Sequence, residues 1–181
     1  MTDTEENRGY LGIIGAMQIE VEELIAHMTD CTEQTVSGIT FTEGILRGRR
    51  TVVARCGVGK VFAALCAQTM ILLYHPEVII NTGVAGSLTD RLGIGQVAVA
   101  DAVIQHDMDT SAVGDPVGLI SGINMIELPA DTKIADELDR VCAAANVNHR
   151  LGVIASGDQF VHTTERRVWI VSTFNASAVE M

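Results

Sequence analysis

The first half of the chain alternates between strand-like and helix-like hydrophobic patterns. LGIIGA (11–16) predicts a short buried strand ending in a glycine turn, and residues 17–28 then carry apolar side chains at helical spacing. The segments 38–47 and 50–56 predict two strands joined by a Gly-Arg turn, which is a hairpin. An alanine-rich helix is predicted over 60–74, and it is expected to end there because a proline two residues later cannot continue it.

The second half repeats this alternation around one long polar segment. Residues 108–130 are rich in Gly, Pro, Ser and Asp and predict a loop, which is the candidate for closing a ligand site. Strand-helix alternation with one early hairpin predicts an α/β fold, in which three layers (α/β/α) form a sandwich around a mixed central sheet. We expect this fold to be one domain over 10–181, after a disordered lead-in at 1–9. The remaining predicted elements are strands at 77–83, 95–107, 149–156 and 175–181 and helices at 130–146 and 163–174.

Composition narrows the classes of function. Hydrophobic residues make up 48% of the 181 residues, so the chain can bury a sizeable core, and its net charge of −11 lacks the basic footprint of a nucleic-acid or membrane-surface binder. The acidic N-terminus has no signal-peptide pattern, and no apolar run is long enough to span a bilayer. The four scattered cysteines are expected to be reduced, and a cytoplasmic location is expected.

Four predicted strands end in glycine-rich turns, namely GIIGAM, CGVGK, NTGVAGS and ASGDQF. Ligands of open α/β sheets bind outside the carboxyl ends of the strands, and glycine lets the backbone approach a ligand closely, so these turns predict a shared cleft. The turns match neither the P-loop nor the GxGxxG dinucleotide motif, and the chain has no GxSxG elbow.

Three positions are candidates for a chemical role, and each of them also has an ordinary structural interpretation. Glu20 is either a solvated first-turn carboxylate that favours the helix dipole or a general base that holds a water. Strand alternation divides the side chains of residues 106–109 between two faces, which favours a hydrogen-bonding cluster at a strand end over a metal site. Phe160 is either a core residue or a stacking platform for a planar base.

Six segments in sequence order resemble one enzyme family. They are GIIGAMQIEVEEL, CGVGKVFAAL, PEVIINTGVAGSL, QHDMD, ASGDQFV and AVEM. The chain from about residue 11 to 181 resembles the 5′-methylthioadenosine/S-adenosylhomocysteine nucleosidases of the purine nucleoside phosphorylase superfamily. The resemblance implies hydrolysis of the N-glycosidic bond of these two nucleosides with release of adenine, by a homodimer that needs neither a metal nor a cofactor.

The resemblance also implies roles for individual residues. Glu20 matches the carboxylate that activates the attacking water, which makes it the expected catalytic residue. The expected substrate-binding residues are Met17 beside that water, Val58 in the 5′-alkylthio pocket, Ala85 and Gly86 against the nucleoside, Phe160 stacked on adenine, Val161 with its backbone on the base, Glu180, and Met181 under the ribose.

Two departures from the family pattern leave alternatives open. Val84 stands where the family often has a serine beside the water, and the sequence ends at Met181, before the position at which the family's adenine-protonating Asp is expected. A catalytically inactive nucleoside-binding relative is therefore one alternative. A nucleoside phosphorylase of the same fold is the other, although its phosphate site needs positive charge and Arg91 lies beyond the glycine turn.

Overall fold

The computed structural model describes residues 9–181 of the chain. They divide into two compact units, the first ending at Val84 and the second running from Ala85 to Met181. The lead-in predicted at residues 1–9 lies, except for Gly9, outside the described residues.

The first unit contains a five-stranded sheet in the order β2-β3-β4-β1-β5. Strand β1 is central and pairs in parallel with β4 and β5, whereas β2, β3 and β4 form antiparallel hairpins. The predicted first strand, the 38–56 hairpin and the helix at 60–74 are confirmed. The elements are β1 (Leu11–Gly15), α1 (Gln18–Ala26), β2 (Met28–Val36), β3 (Ile39–Leu46), β4 (Arg49–Arg55), α2 (Lys60–Tyr74) and β5 (Val78–Asn81).

The two helices of the first unit cover opposite faces of this sheet. Ile14 packs on one face in a cluster that includes Cys66 and Met70 of α2. The adjacent Ile13 points to the other face, where it packs with Val21 of α1. Successive strand residues point to opposite faces, so β1 is enclosed by apolar side chains on both sides. Helix, sheet and helix therefore form three layers within this unit.

Strand β2 was not predicted from the sequence. Only Met28 in this strand is buried, and the other residues of MTDCTEQTV are exposed or half-buried. The strand exists because it pairs with β3 from Met28↔Leu46 to Val36↔Ile39 at the edge of the sheet. Backbone pairing of this kind leaves no hydrophobic alternation in the sequence, and alternation is the signal from which strands are predicted.

The second unit contains a five-stranded sheet in the order β6-β10-β9-β7-β8. Strand β9 pairs in parallel with β7 and β10, and the short strands β6 and β8 pair antiparallel at the edges. The elements are β6 (Gly86–Ser87), β7 (Val97–Gln105), β8 (Leu128–Pro129), α3 (Thr132–Ala144), β9 (His149–Ser156), α4 (Thr164–Phe174) and β10 (Ala178–Glu180). The predicted loop at 108–130 contains a 3-10 turn at Ser111–Val113 and ends in β8.

Side-chain caps set the starts of α3 and α4. An Asp131 carboxylate oxygen accepts a hydrogen bond from the backbone N–H of Ile134, and the Thr163 hydroxyl oxygen accepts one from that of Arg166. Each cap satisfies a donor that the first helical turn leaves without a partner inside the helix. Ile170 and Phe174 of α4 are buried in the core of this unit.

The predicted α/β class with mixed strand pairing is confirmed, with the strands divided between the two five-stranded sheets. Within residues 9–181, no helix combines the length and apolar character needed to cross a membrane.

The four cysteines are not joined by disulfide bonds. Cys56 and Cys66 are buried, Cys142 is half-buried and Cys31 is exposed. Burial and, to a smaller extent, the neighbouring Cys56 together raise the pKa of the Cys66 thiol to about 12. Because the thiolate is the reactive form, Cys66 is protected from reagents both by its inaccessibility and by its protonation.

We predict that a thiol reagent at pH 8 modifies Cys31 in the native protein within minutes and reaches Cys66 only after unfolding. Labelling followed by peptide mass spectrometry measures this, with Cys31→Ser as the control that removes the fast phase. Fast labelling of Cys66 in the native protein would contradict the burial described for α2.

Candidate active site

The Glu20 carboxylate is held by two backbone N–H groups from different segments of the first unit. Its Oε2 accepts a hydrogen bond from the Met17 N–H at 2.8 Å, and its Oε1 accepts one from the Val84 N–H at 2.9 Å. Glu20 lies in the first turn of α1, directly after β1, and Val84 follows the end of β5. Since β1 and β5 are paired neighbours, both N–H groups are delivered by adjacent strand ends.

Gly83 gives the carboxylate its space. A Cβ atom at this position would lie 2.8 Å from Oε1 and 3.0 Å from Cδ of Glu20. Any side chain here would therefore displace the carboxylate or the turn that carries the Val84 N–H. Val84 is 69% exposed, and the hydrogen bond that it donates to Glu20 comes from its main chain. A valine in place of serine leaves this main-chain hydrogen bond intact.

An open cleft of about 430 Å³ lies at the carboxyl ends of β1 and β4 in the first unit. Its volume falls within the usual range of small-molecule sites. Met17 and Val58, two of the predicted substrate-binding residues, both line it, and Glu20 is bonded to the backbone of Met17. The lining residues are Ala16, Met17, Gln18, Gly38, Arg55, Cys56, Gly57 and Val58.

The second unit brings together four other predicted site residues at one sheet edge. Gly86 of β6 pairs with Val179 of β10, so Ala85 and Glu180 flank this pair and Met181 follows. A Cβ atom on Gly86 would lie 3.4 Å from the Val179 side chain, which is ordinary contact.

Phe160 presents its ring to solvent in the loop between β9 and α4. The ring is 80% exposed and lies nearly parallel to that of His162, with 14° between the planes and 6.5 Å between the centroids. Nδ1 of His162 lies 3.2 Å from the Phe160 carbonyl oxygen, which fixes the second ring relative to the first. Val161 points the other way and packs against the core of the unit. An exposed, oriented aromatic ring is a suitable platform for a planar base.

His106 and Arg166 anchor this loop at its two ends. His106 follows β7 and is 1% exposed, and Nη2 of Arg166 donates to its carbonyl oxygen at 2.9 Å and lies 3.1 Å from its Nδ1. With Nδ1 accepting, the neutral ring carries its proton on Nε2. A Cβ atom on Gly157 would lie 2.4 Å from Nε2, so the loop passes the imidazole at a distance that only glycine allows. The Arg166 guanidinium also lies 4.1 Å from the centre of the Trp169 ring.

Asp107 completes a hydrogen-bonding cluster at the end of β7. Its Oδ2 accepts a hydrogen bond of 2.8 Å from the backbone N–H of Asp158, in the same loop. His106 and Asp107 therefore take part in a hydrogen-bonding cluster at this strand end, as the strand-end interpretation predicts. Nowhere in residues 9–181 do three or more His, Cys, Asp and Glu side chains gather in a position to hold a metal ion.

Sequence reasoning missed three residues of these arrangements. Gly83 was one of several glycines in a turn, and only the position of the Glu20 carboxylate distinguishes it. Arg166 lies in the first turn of α4, and nothing in its sequence surroundings points to His106, which is sixty residues away. Arg55, at the end of β4, lines the cleft with Val58.

Comparison with known proteins identifies the family of this chain. Residues 10–181 match the family model of the phosphorylase superfamily. The chain is 37% identical to a 5′-methylthioadenosine/S-adenosylhomocysteine nucleosidase of Shewanella loihica over 93% of this chain and 73% of that protein. It resembles a crystal structure of the Helicobacter pylori nucleosidase in complex with 5′-methylthioadenosine, with a TM-score of 0.92, 36% identity, and coverage of 96% of this chain and 75% of that one.

A structure of H. pylori futalosine hydrolase is similar to the same degree, with a TM-score of 0.91, 36% identity and coverage of 96% of this chain and 74% of that one. The fold and the sequence match define the class as the phosphorylase superfamily. Within that superfamily, the chain belongs to the 5′-methylthioadenosine/S-adenosylhomocysteine nucleosidase family.

We predict that Gly83→Ala lowers kcat/KM for the nucleosidase reaction by roughly 10- to 100-fold, because small displacements of a catalytic group cost about this much. The added methyl group would lie 2.8 Å from the Glu20 carboxylate oxygen. Gly93→Ala is the matched control, since the nearest atom to a Cβ there belongs to the Gln96 side chain at 3.6 Å, an ordinary contact. Steady-state kinetics measure both variants, and full activity of Gly83→Ala would contradict the proposed position of Glu20.

Proposed function

We propose that this protein hydrolyses the N-glycosidic bond of 5′-methylthioadenosine and S-adenosylhomocysteine and releases adenine. Its family membership makes it an N-glycosyl hydrolase. The observation that carries the proposal is the Glu20 carboxylate, anchored through both oxygens beside a cleft of substrate size.

Glu20 acts as the general base in this proposal. Each of its oxygens accepts one backbone hydrogen bond and keeps a lone pair for a water molecule. The water oxygen forms a bond to C1′ of the ribose, a water proton passes to the carboxylate, and the bond between C1′ and adenine breaks. The carboxylate also stabilises the positive charge that develops on the ribose as this bond breaks. The leaving adenine takes a proton from solvent on its five-membered ring, and Glu20 returns the proton of the attacking water to solvent.

The base and the ribose are assigned to residues of the second unit. Phe160 stacks on adenine, and the backbone of Val161 hydrogen-bonds to it. Ala85, Gly86, Glu180 and Met181 contact the nucleoside. The exposure of the Phe160 ring supports its role, as does the shared location of the other four residues at one sheet edge. Val58 lines the part of the site that takes the 5′ substituent, and Met17 lies beside the attacking water. Both assignments are supported by the place of these two residues in one cleft next to Glu20.

The protein is proposed to act as a cytoplasmic homodimer in the salvage of methionine. The exposed apolar surface of α2 supports a dimer, because apolar patches that face solvent are typical of interaction sites. Val61, Phe62, Leu65 and Leu72 of this helix are 68%, 53%, 53% and 63% exposed. Futalosine hydrolysis is a second candidate function, favoured by the similarity to the H. pylori enzyme.

We predict that the protein releases adenine and free methylthioribose from methylthioadenosine in phosphate-free buffer, at a rate that added phosphate does not change. Glu20→Gln is expected to lower kcat by about 10²- to 10⁴-fold, the usual contribution of a general base. Glu22→Gln, an exposed carboxylate on the same helix, is the matched control. Chromatography of the products measures all three proteins. Adenine release that requires phosphate would assign the protein to the phosphorylases.

We predict that Phe160→Ala raises KM for methylthioadenosine about tenfold and changes kcat less, because base–aromatic stacking contributes roughly 1–3 kcal/mol. Phe160→Tyr keeps the stacking face and is expected to retain the KM of the original protein. Equal KM values for the alanine and tyrosine variants would remove Phe160 from the adenine site.

A further inference from the structure

Arg55 differs from the other arginines of β4 in having no partner among the residues that the structure describes. The guanidinium of Arg49 lies 3.0 Å from the Glu77 carboxylate, and that of Arg50 lies 3.7 Å from the Glu43 carboxylate. Arg55 is exposed, and no residue in 9–181 forms a hydrogen bond or an ion pair with its guanidinium. A cation without a carboxylate partner at the end of a strand is available to a ligand.

The surroundings of Arg55 indicate which kind of ligand this is. It lines the cleft of the first unit together with Ala16, Met17 and Val58, which are apolar, and with Gln18. A guanidinium next to the apolar side chains of Met17 and Val58 suits an apolar group that ends in an anion, and planar carboxylates fit the guanidinium fork in particular.

We propose that Arg55 binds a carboxylate at the outer end of the substrate's 5′ substituent, so that the protein prefers 5′-thioethers that carry this anion over neutral ones. The inference rests on the proposed function, because Val58 marks the 5′ end of the substrate only if the protein binds such nucleosides. The homocysteine part of S-adenosylhomocysteine carries a carboxylate, and the methylthio group does not.

Inorganic phosphate is a second possible source of the anion. The negative charge of Glu20, bonded to the backbone of Met17 at the cleft, opposes a phosphate dianion there. A single carboxylate separated from Glu20 by the length of a 5′ substituent meets less repulsion. The carboxylate is therefore the favoured occupant, and phosphate is tested as a competitor.

The test measures binding without turnover. Two adenine C-nucleosides, whose carbon–carbon glycosidic bond cannot be hydrolysed, carry either a 5′-butylthio or a 5′-(3-carboxypropyl)thio group. Calorimetry is expected to give a dissociation constant about fivefold lower for the carboxylate ligand, the size of a partly solvated ion pair. This ratio is expected to fall towards one in high salt, because mobile ions screen exposed charges.

Variants assign the preference to Arg55. Arg55→Gln is expected to reduce the ratio to about one, and Arg55→Lys to retain part of it, because an ammonium keeps the charge but loses the fork. Arg47→Gln is the matched control, since Arg47 lies in the turn before β4, at the opposite end of that strand, and should keep the full ratio. Circular dichroism checks that each variant is folded.

The outcomes separate the inference from the proposed function. Equal affinities for the two ligands, or a ratio that Arg55→Gln leaves unchanged, overturn the inference even if methylthioadenosine is hydrolysed. An Arg55-dependent ratio supports it even if no hydrolysis is found. Phosphate that competes with both ligands, together with phosphate-dependent cleavage, overturns it by making phosphate the anion bound at Arg55. Failure of both ligands to bind overturns the inference and the proposed function together.

Discussion

Burial of β1 on both faces is the constraint from which the candidate catalytic group takes its position. Ile13 and Ile14 point to opposite faces and pack under α1 and α2, so the strand is fixed in the middle of its sheet. The chain must then turn sharply into α1, and Glu20 falls in the first helical turn. The parallel neighbour β5 ends beside it and supplies the Val84 N–H. The position and orientation of the Glu20 carboxylate thus follow from the packing of Ile13 and Ile14, which lie just before the turn.

In the second unit, side-chain hydrogen bonds hold the loop between β9 and α4 in place. A buried imidazole and a guanidinium hold the segment between β9 and α4 from the ends of neighbouring elements, and Gly157 lets the chain pass at close range. Hydrogen bonds on both sides of the loop hold the segment that carries the exposed Phe160 ring. Catalytic residues on loops act with precision only when such contacts limit their freedom.

Much of the fold could be predicted because its signals are local. The helix at Lys60–Tyr74 and the hairpin formed by β3 and β4 carry their periodicity, turn residues and stop signals within the segment itself. The polar strand β2 could not be predicted, because its partner β3 rather than its own composition makes it a strand. The division of the strands between two sheets also depends on pairings between distant segments, such as β9 with β7.

The sequence by itself determined the class of fold, the family and the identity of Glu20 and Phe160 as candidates, because ordered glycine turns and short motifs are written in consecutive residues. The tertiary structure alone decided what holds them. The hydrogen bond from Val84 to Glu20 spans 64 residues, and that from Arg166 to His106 spans 60. It also decided that Arg55 lacks a carboxylate within residues 9–181 whereas Arg49 and Arg50 have one. Side-chain partnership depends on which distant segments meet in space, and no local pattern encodes this.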